Sequence, residues 1–302
     1  MALITTGNHP KNLWPGVHAW FGAVYEEHET EYKSLFDTKS STMNFEEDVE
    51  HTSFGLAPIK PEGQATAYDQ HQQGFVKRYI HVAYSLGYIC TREEIADGQY
   101  EKVSMARAQS LAFSMAQTRE NVGANIYNRA HTSTYVGGDG KELSSSVHPT
   151  LAGDQANELG TAAQLSEASL EDLCVIIMDA KNSRGLKISL RPTELIVPTA
   201  EVFEAQRILK SELQNDTANN AINALRSRNA IPSFSVNHYL TDTSDWYVRT
   251  TAPQGMCWFD REAVEFGKDN DFDTDNAKSK AYMRFSAGWT DWRGLYTSGD
   301  IA

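Results

Sequence analysis

Cysteine is scarce. Cys90, Cys174 and Cys257 are odd in number and far apart along 302 residues. A disulfide framework and a zinc site of the CxxC kind are thereby excluded, and three small buried thiols are expected. Long apolar runs are missing too: the longest aliphatic cluster, residues 174–178, is far too short to span a bilayer. The opening MALITTGNHPK has no cationic start followed by an apolar stretch, and position 2 is not glycine. No secretory or myristoylation signal is read there, so folding in a cytoplasm is the expectation. Positive charge is in deficit, with 27 Lys and Arg against 40 Asp and Glu and a net charge of −13. That excludes a broad basic face gripping nucleic acid, while a wall beside DNA that DNA does not stick to remains compatible. Internal repeats and long Pro- or Ser-rich linkers are also absent.

What is present suits an ordered chain. Apolar residues make up 40% of a length at which one core begins to divide into two. Residues 15–36 read as a helix, with Val17, Trp20, Phe21, Val24, Tyr25, His28, Tyr32, Leu35 and Phe36 at helical spacing behind Pro15. A lone helix of this kind needs a surface to lie on, and that surface can belong to another chain. Residues 43–74 differ: an acidic run from Asn44 to Glu50 leads into Gly55, Pro58, Pro61, Gly63 and Gly74, an excursion with little core of its own. Residues 75–89 alternate as one long strand, with Val76, Ile80, Val82, Tyr84, Leu86 and Tyr88 on the apolar face beside Arg78, and Lys77, His81 and Ser85 on the other.

Thr91 with Glu94 opens a capping box, and mostly helix follows to about Ala130, with a break near Asp97-Gly98. Its stripes are Leu111, Met115, Thr118, Val122 and Ile126, and the small residues Ala108, Ala112 and Ala116. Residues 132–164 read as loop between two bodies. Ser166 then caps a helix that runs through Leu170 to Met178 and ends by Gly185. Short strands at 188–190 and 195–197, a helix capped by Thr199, a third helix over 218–228 and strands at 234–236 and 246–249 complete this second body. Long strands return at 256–266 and 281–290, flanking the acidic stretch 268–276. The fold class is α+β, in a nested order: a strand and a long helix, an inserted body, and a return to the first.

Signals for chemistry are weak. Asp269, Asp271, Asp273 and Asp275 resemble half a calcium loop, but Thr274 and Lys280, or Asn276 and Tyr282, stand where such a loop requires Gly and Glu. A solvated acidic turn is the better reading. Gly137-Gly138-Asp139-Gly140 satisfies neither phosphate-binding pattern, His28 lacks HExxH spacing, His71 and His81 have no partner at ligand spacing, and GxSxG is absent. Asn215-Asp216-Thr217 matches a glycosylation sequon, which means nothing without secretion. Cys174 falls on a buried helical stripe and Cys257 in an aromatic strand, both as core. The aromatic ending with Trp289, Trp292 and Tyr296 reads as a packed sheet, with a ligand platform as the rarer alternative. No catalytic, cofactor or metal site is assigned.

The order of parts is more specific than any motif. EGQATAYDQHQQGFVKRYIHVAYSLGYICTREEIADGQY over 62–100, LSEASLEDLCVIIMDAKNSRG…LIVPTAE over 165–201 and YMRFSAGWTDWRGLYTSG over 282–299 resemble the major capsid protein of tailed bacteriophages. They are similar to its Mu-like head-subunit group, of the Hong Kong 97-type fold, and the likeness covers nearly the whole chain. It implies an N-terminal arm over 1–42, an extended loop over 43–80 reaching a neighbouring subunit, a peripheral domain with a spine helix over 81–160 and 256–302, and an axial domain over 161–255. It implies a non-enzymatic virion protein that assembles into hexamers and pentamers around double-stranded DNA without sequence-specific binding. Scaffolding and portal proteins are the implied partners, and a decoration protein is an open addition. No cofactor is implied.

Within that frame, Trp20 and Phe21 on the arm, Glu46, Glu47, Asp48 and Glu50 on the acidic run, and Lys60, Lys77 and Arg78 on the loop are the candidate contacts between subunits. Solvated surface charge is the competing reading for the charged ones. The rival functions are an encapsulin-like compartment, which needs a groove for a cargo peptide, and a cytoplasmic enzyme, which needs a pocket joining Cys174 or Cys257 to a histidine. A third rival is a binding module, which needs Trp289 and Trp292 exposed.

Overall fold

The computed structural model describes residues 21–26, 28–96, 100–214, 221–271 and 275–299. Trp20, with the arm before it, the break at Asp97-Gly98, the sequon and Asp273 lie outside the described residues. After helical residues 21–26, the chain forms α1 (Tyr32–Leu35), β1 (Asp37–Ser40), β2 (Phe45–His51), β3 (Gln73–Ile80), β4 (Val82–Cys90), α2 (Arg92–Ala96) and α3 (Tyr100–Asn128). It continues with α4 (Glu167–Met178), β5 (Pro192–Pro198), α5 (Val202–Lys210), α6 (Ala224–Arg228), β6 (Ser233–Asn237) and β7 (Tyr247–Thr250). It ends with β8 (Met256–Asn270), β9 (Ala277–Trp289) and β10 (Leu295–Thr297).

The first sheet runs β1-β8-β9-β4, with β1 parallel to β8 and the other pairs antiparallel. Alternation along β8 and β9 turns Trp258, Met283 and Phe285 to one face, where α3 packs. The small-residue stripe explains the close approach: Ala108 and Ala112 are fully buried, and a Cβ on Gly123 would already touch Phe36 and Tyr32. Trp258 stacks on Phe285 at 4.5 Å, and the Arg119 guanidinium lies 4.9 Å from the Tyr32 ring while pairing with Asp260. The opposite face carries Cys257 and Phe259 under Tyr79. Burying each large apolar side chain of such a core contributes about 1.5–3 kcal/mol.

The second sheet runs β10-β7-β5-β6, with β5 parallel to β6. The stripe Leu170, Leu173, Cys174 and Ile177 of α4 and Ala205 and Ile208 of α5 share a core with Leu195, Val197, Trp246 and Val248 of this body. Ser166 caps α4, its hydroxyl accepting from Ser169 N while Ser169 Oγ accepts from Ser166 N. β2 and β3 form a separate antiparallel hairpin.

Several sequence expectations are corrected. Residues 75–89 are two strands, not one. β3 and β4 break at His81, and the inward parity changes there: Tyr79 is buried on β3, whereas Tyr84 and Tyr88 pack inward from β4. Val76 and Ile80, on the outward parity of β3, are therefore exposed; Val82 and Leu86 are exposed too, although they share the parity of Tyr84 and Tyr88. β10, at the end of the segment read with the first body, pairs with β7 of the second sheet. α4 ends at Asp179 rather than near Gly185, and no strand forms at 188–190. Thr199 starts a turn of 3₁₀ helix without a side-chain cap, and in 218–228 the described helix is only α6, capped by Asn223. Trp289, Trp292 and Tyr296 are buried, which removes the ligand-platform reading.

Candidate inter-subunit surface: the extended loop and its root

The hairpin pairs Phe45 with Ile80, Glu46 with Tyr79, Glu47 with Arg78 and Asp48 with Lys77. Because side chains alternate along a strand, the four acidic candidates divide by parity. Glu46, Asp48 and Glu50 face the body of their own chain. Glu46 accepts from Ser41 Oγ at 2.6 Å and Asp48 from Thr290 Oγ1 at 3.0 Å. Glu50 accepts from Ser183 Oγ and lies 3.7 Å from Arg293 Nη1. Glu47 points the other way and pairs with Arg78 at 2.5 Å, with both side chains well exposed. Arg78 also lies 4.5 Å from the Phe45 ring. Such an exposed pair contributes only about 0–1 kcal/mol.

The remaining candidates separate as clearly. Lys77 donates to Val136 O at 2.9 Å and lies 5.0 Å from the Trp289 ring, and burial lowers its pKa against the pull of Asp139. Phe21 is buried, stacked on Phe266 at 4.8 Å. Lys60 is exposed on the loop tip. In-chain partners thus engage Phe21, Glu46, Asp48, Glu50 and Lys77, the Glu47–Arg78 pair looks outward, and Lys60 is at the far end.

The neck of the loop is closed by Thr52. Its Oγ1 donates to Gln72 O at 2.7 Å and accepts from Gln72 N at 2.9 Å. Beyond it, residues 53–71 form no strand or helix. Asp69 accepts from Gly55 N at 2.8 Å and from Arg184 Nη1 at 3.1 Å through both oxygens. The backbone hydrogen bonds from Gly55 N and, at 2.8 Å, from Gln70 N, more than Arg184, hold its pKa below the usual carboxylate value. Further out, Leu56 is 82%, Tyr68 94% and Ile59 95% exposed. With Phe54 they surround an open hollow of about 690 Å³ instead of packing on one another. A loop bonded to its own body at the root, with apolar side chains unsupported at the tip, is built to contact something else.

The profile of a family described as phage capsid protein matches residues 77–298. The chain belongs to the phage capsid protein family. No curated protein sequence matches it. A virus-like particle from Pyrococcus furiosus is similar in structure, with a TM-score of 0.55 at 9% identity over 94% of this chain and 97% of that one. So is a chain of Mycobacterium phage Che8, at 0.51 and 12% over 89% and 90%. The procapsid of bacteriophage JBD30 follows at 0.50 and 11% over 99% and 77%. At these identities the likeness is one of fold, the Hong Kong 97-type capsid fold, and the family makes this a structural major capsid protein.

The thiols of this capsid protein are buried. Burial pushes Cys174 up to about 11 and raises Cys257, whose polar neighbour is Lys39 Nζ at 3.8 Å. Thiols held protonated are poor nucleophiles. No group of three or more His, Cys, Asp or Glu side chains that could hold a metal occurs among the described residues. Nor is any helix there long and apolar enough to cross a membrane. Sequence reasoning missed the residues that fix the loop: Ser41, His81, Thr290, Arg184 and Arg293. Ser41, Arg184, Thr290 and Arg293 lie in turns and connections, where no local periodicity marks them, and they reach the loop only through the tertiary fold.

Proposed function

We propose that this chain is the major head subunit of a tailed bacteriophage, of the Mu-like group. It assembles into hexamers and pentamers that close an icosahedral head around double-stranded DNA. The supporting observation is the extended loop, whose tip presents Leu56, Ile59 and Tyr68 to solvent while its root is fastened to its own subunit. In this reading the loop over 43–80 lies on a neighbouring subunit, and the arm over 1–42, with Trp20 and Phe21, belongs to the same network. The regions 81–160 with 256–302 and 161–255 act as peripheral and axial domains. Lys60, Glu47 and Arg78 supply polar contacts around the apolar tip. Glu46, Asp48, Glu50 and Lys77 act through the root, and set the angle at which the loop leaves the sheet. Many modest contacts per subunit become strong when they close together.

The net charge of −13 suits an inner wall that DNA slides past without adhering. The subunit has no catalytic role and needs no cofactor. Its partners are copies of itself, a scaffolding protein and a portal, with a decoration protein as an optional addition, and assembly takes place in the host cytoplasm. Light scattering after size-exclusion chromatography, followed by electron microscopy of the same fractions, tests this directly. Capsomers, shells, tubes or sheets are expected. A compact monomer unchanged by concentration, salt or a scaffolding partner would refute it. Particles filled with a specific protein cargo in place of DNA would favour a compartment of the same fold.

A further inference from the structure

The hinge between loop and sheet is one residue long. β3 ends at Ile80, β4 starts at Val82, and His81 between them is 5% exposed. Its ring bridges two buried hydroxyls, with Nε2 3.0 Å from Ser41 Oγ and Nδ1 2.9 Å from Ser286 Oγ. The Ser41 proton is committed to Glu46 at 2.6 Å, so Ser41 Oγ accepts from Nε2–H, as it also does from Met43 N at 3.2 Å. Nδ1 is then the bare nitrogen, accepting from the Ser286 hydroxyl. In the neutral ring the network therefore fixes one tautomer, with the proton on Nε2. The chain Glu46–Ser41–His81–Ser286 ties β2, the start of the β1–β2 connection, the hinge and β9 together. The charged groups facing His81 are Glu46 from β2, Arg284 from β9 and Arg261 from β8. Arg284 also donates to His81 O at 3.4 Å and to Asn44 Oδ1 at 3.0 Å.

We propose that His81 is an acid-sensitive latch at the root of the extended loop: neutral, it clamps the β2–β3 hairpin to the main sheet; protonated, it lets the hairpin go. A second ring proton meets the Ser286 hydroxyl and forces its donor to turn away. It also places a cation out of water beside two guanidiniums. Glu46 opposes this through its charge, which is outweighed by burial and Arg284. Burial first, then Arg284, lowers the His81 pKa from its ordinary 6.5. A depressed histidine takes up its proton more readily in the open state, so the latch is complete above 6.5 and weakens as pH falls through the lowered value. The latch is a property of the single chain and does not rest on shell assembly.

Hydrogen exchange on the full-length protein tests it, comparing residues 45–52 and 73–84 with α3 from about pH 8 to pH 5 after correction for intrinsic rates. Opening of the root is expected to increase by up to about tenfold per pH unit below the ordinary histidine value, with α3 unaffected. His81→Gln keeps one donor and one acceptor without a titrating charge, and its root should show flat protection. Ser286→Ala removes the donor to Nδ1 and should move the wild-type midpoint upward; it decides the matter if His81→Gln fails to fold. Flat protection in the wild type, unchanged pH dependence in His81→Gln, or an unmoved midpoint in Ser286→Ala each overturn the latch.

Discussion

Arg293 Nη1 lies 3.7 Å from Glu50 Oε1, tying the loop's outgoing strand to the turn that leads into β10. Arg293 is only 3% exposed. It also pairs with Asp291 at 3.1 Å, donates to Lys181 O at 2.8 Å and lies 4.2 Å from the Trp292 ring. One guanidinium thereby joins the extended loop, the second body and the end of the chain.

Removing that charge should be costly. Arg293→Met leaves Asp291 and Glu50 without their cation, and a loss of about 3–5 kcal/mol is expected in urea unfolding. A loss under about 1 kcal/mol would show that the cluster does not hold the loop.

The loop tip should behave oppositely. Replacing Leu56, Ile59 and Tyr68 together by Ser removes side chains with almost no contacts in their own chain, so subunit stability should shift by less than about 0.5 kcal/mol per site. Assembly should be lost, because buried apolar anchors dominate the energy of an interface. Shells of normal yield by electron microscopy would place the subunit contacts elsewhere.

Glu120 gives a pH dependence of its own. Its oxygens accept from Glu31 N at 3.1 Å and Tyr32 N at 2.8 Å, fixing the start of α1 on α3. Burial raises its pKa from 4.5 to about 7, outweighing those two hydrogen bonds. With the folded value above the unfolded one, its contribution is complete below 4.5 and is lost as pH rises through about 7. Thermal stability should fall across that window, and Glu120→Gln should flatten the fall. An unchanged slope would assign the dependence to another group.

Backbone contact predicts a fourth outcome. A Cβ on Gly294 would stand 2.4 Å from Gly255 Cα, whereas one on Gly160 meets nothing within 4 Å. Gly294→Ala should destabilise by about 1–3 kcal/mol or more, with Gly160→Ala near neutral in the same denaturation assay. Equal stabilities would mean that the two turns separate readily.

Salt should discriminate the outward charges. If Glu47, Arg78 and Lys60 meet opposite charges on a neighbour, raising ionic strength from about 0.1 to 1 M should dissociate assembled particles, as monitored by light scattering. Charge reversal at Glu47 should weaken assembly while leaving subunit unfolding within about 1 kcal/mol of wild type. Particles indifferent to both changes would show that these charges do not hold the subunits together.

Much of the fold was legible from local pattern. Alternation along β8 and β9, the helix cap at Ser166 and the alanine stripe of α3 are short-range signals, and the structure retains them. The nested order and the family resemblance are likewise one-dimensional. The candidate site was less legible. Glu46, Asp48 and Glu50 look like a solvated acidic run, yet each finds its partner on a segment far away in sequence: His81 by way of Ser41, Thr290, and Ser183 with Arg293.

The sequence by itself determined the main helices, the long returning strands and their nested order, since these patterns depend on neighbours within a few residues, and it set the acidic balance by composition alone. Only the tertiary structure decided where the long strand breaks, which face of the hairpin turns inward, and that β10 closes the second sheet. Those outcomes follow from competition between two cores for one chain. The inward parity of β3 differs from that of β4 across His81, whose ring is held by hydroxyls that folding alone brings together.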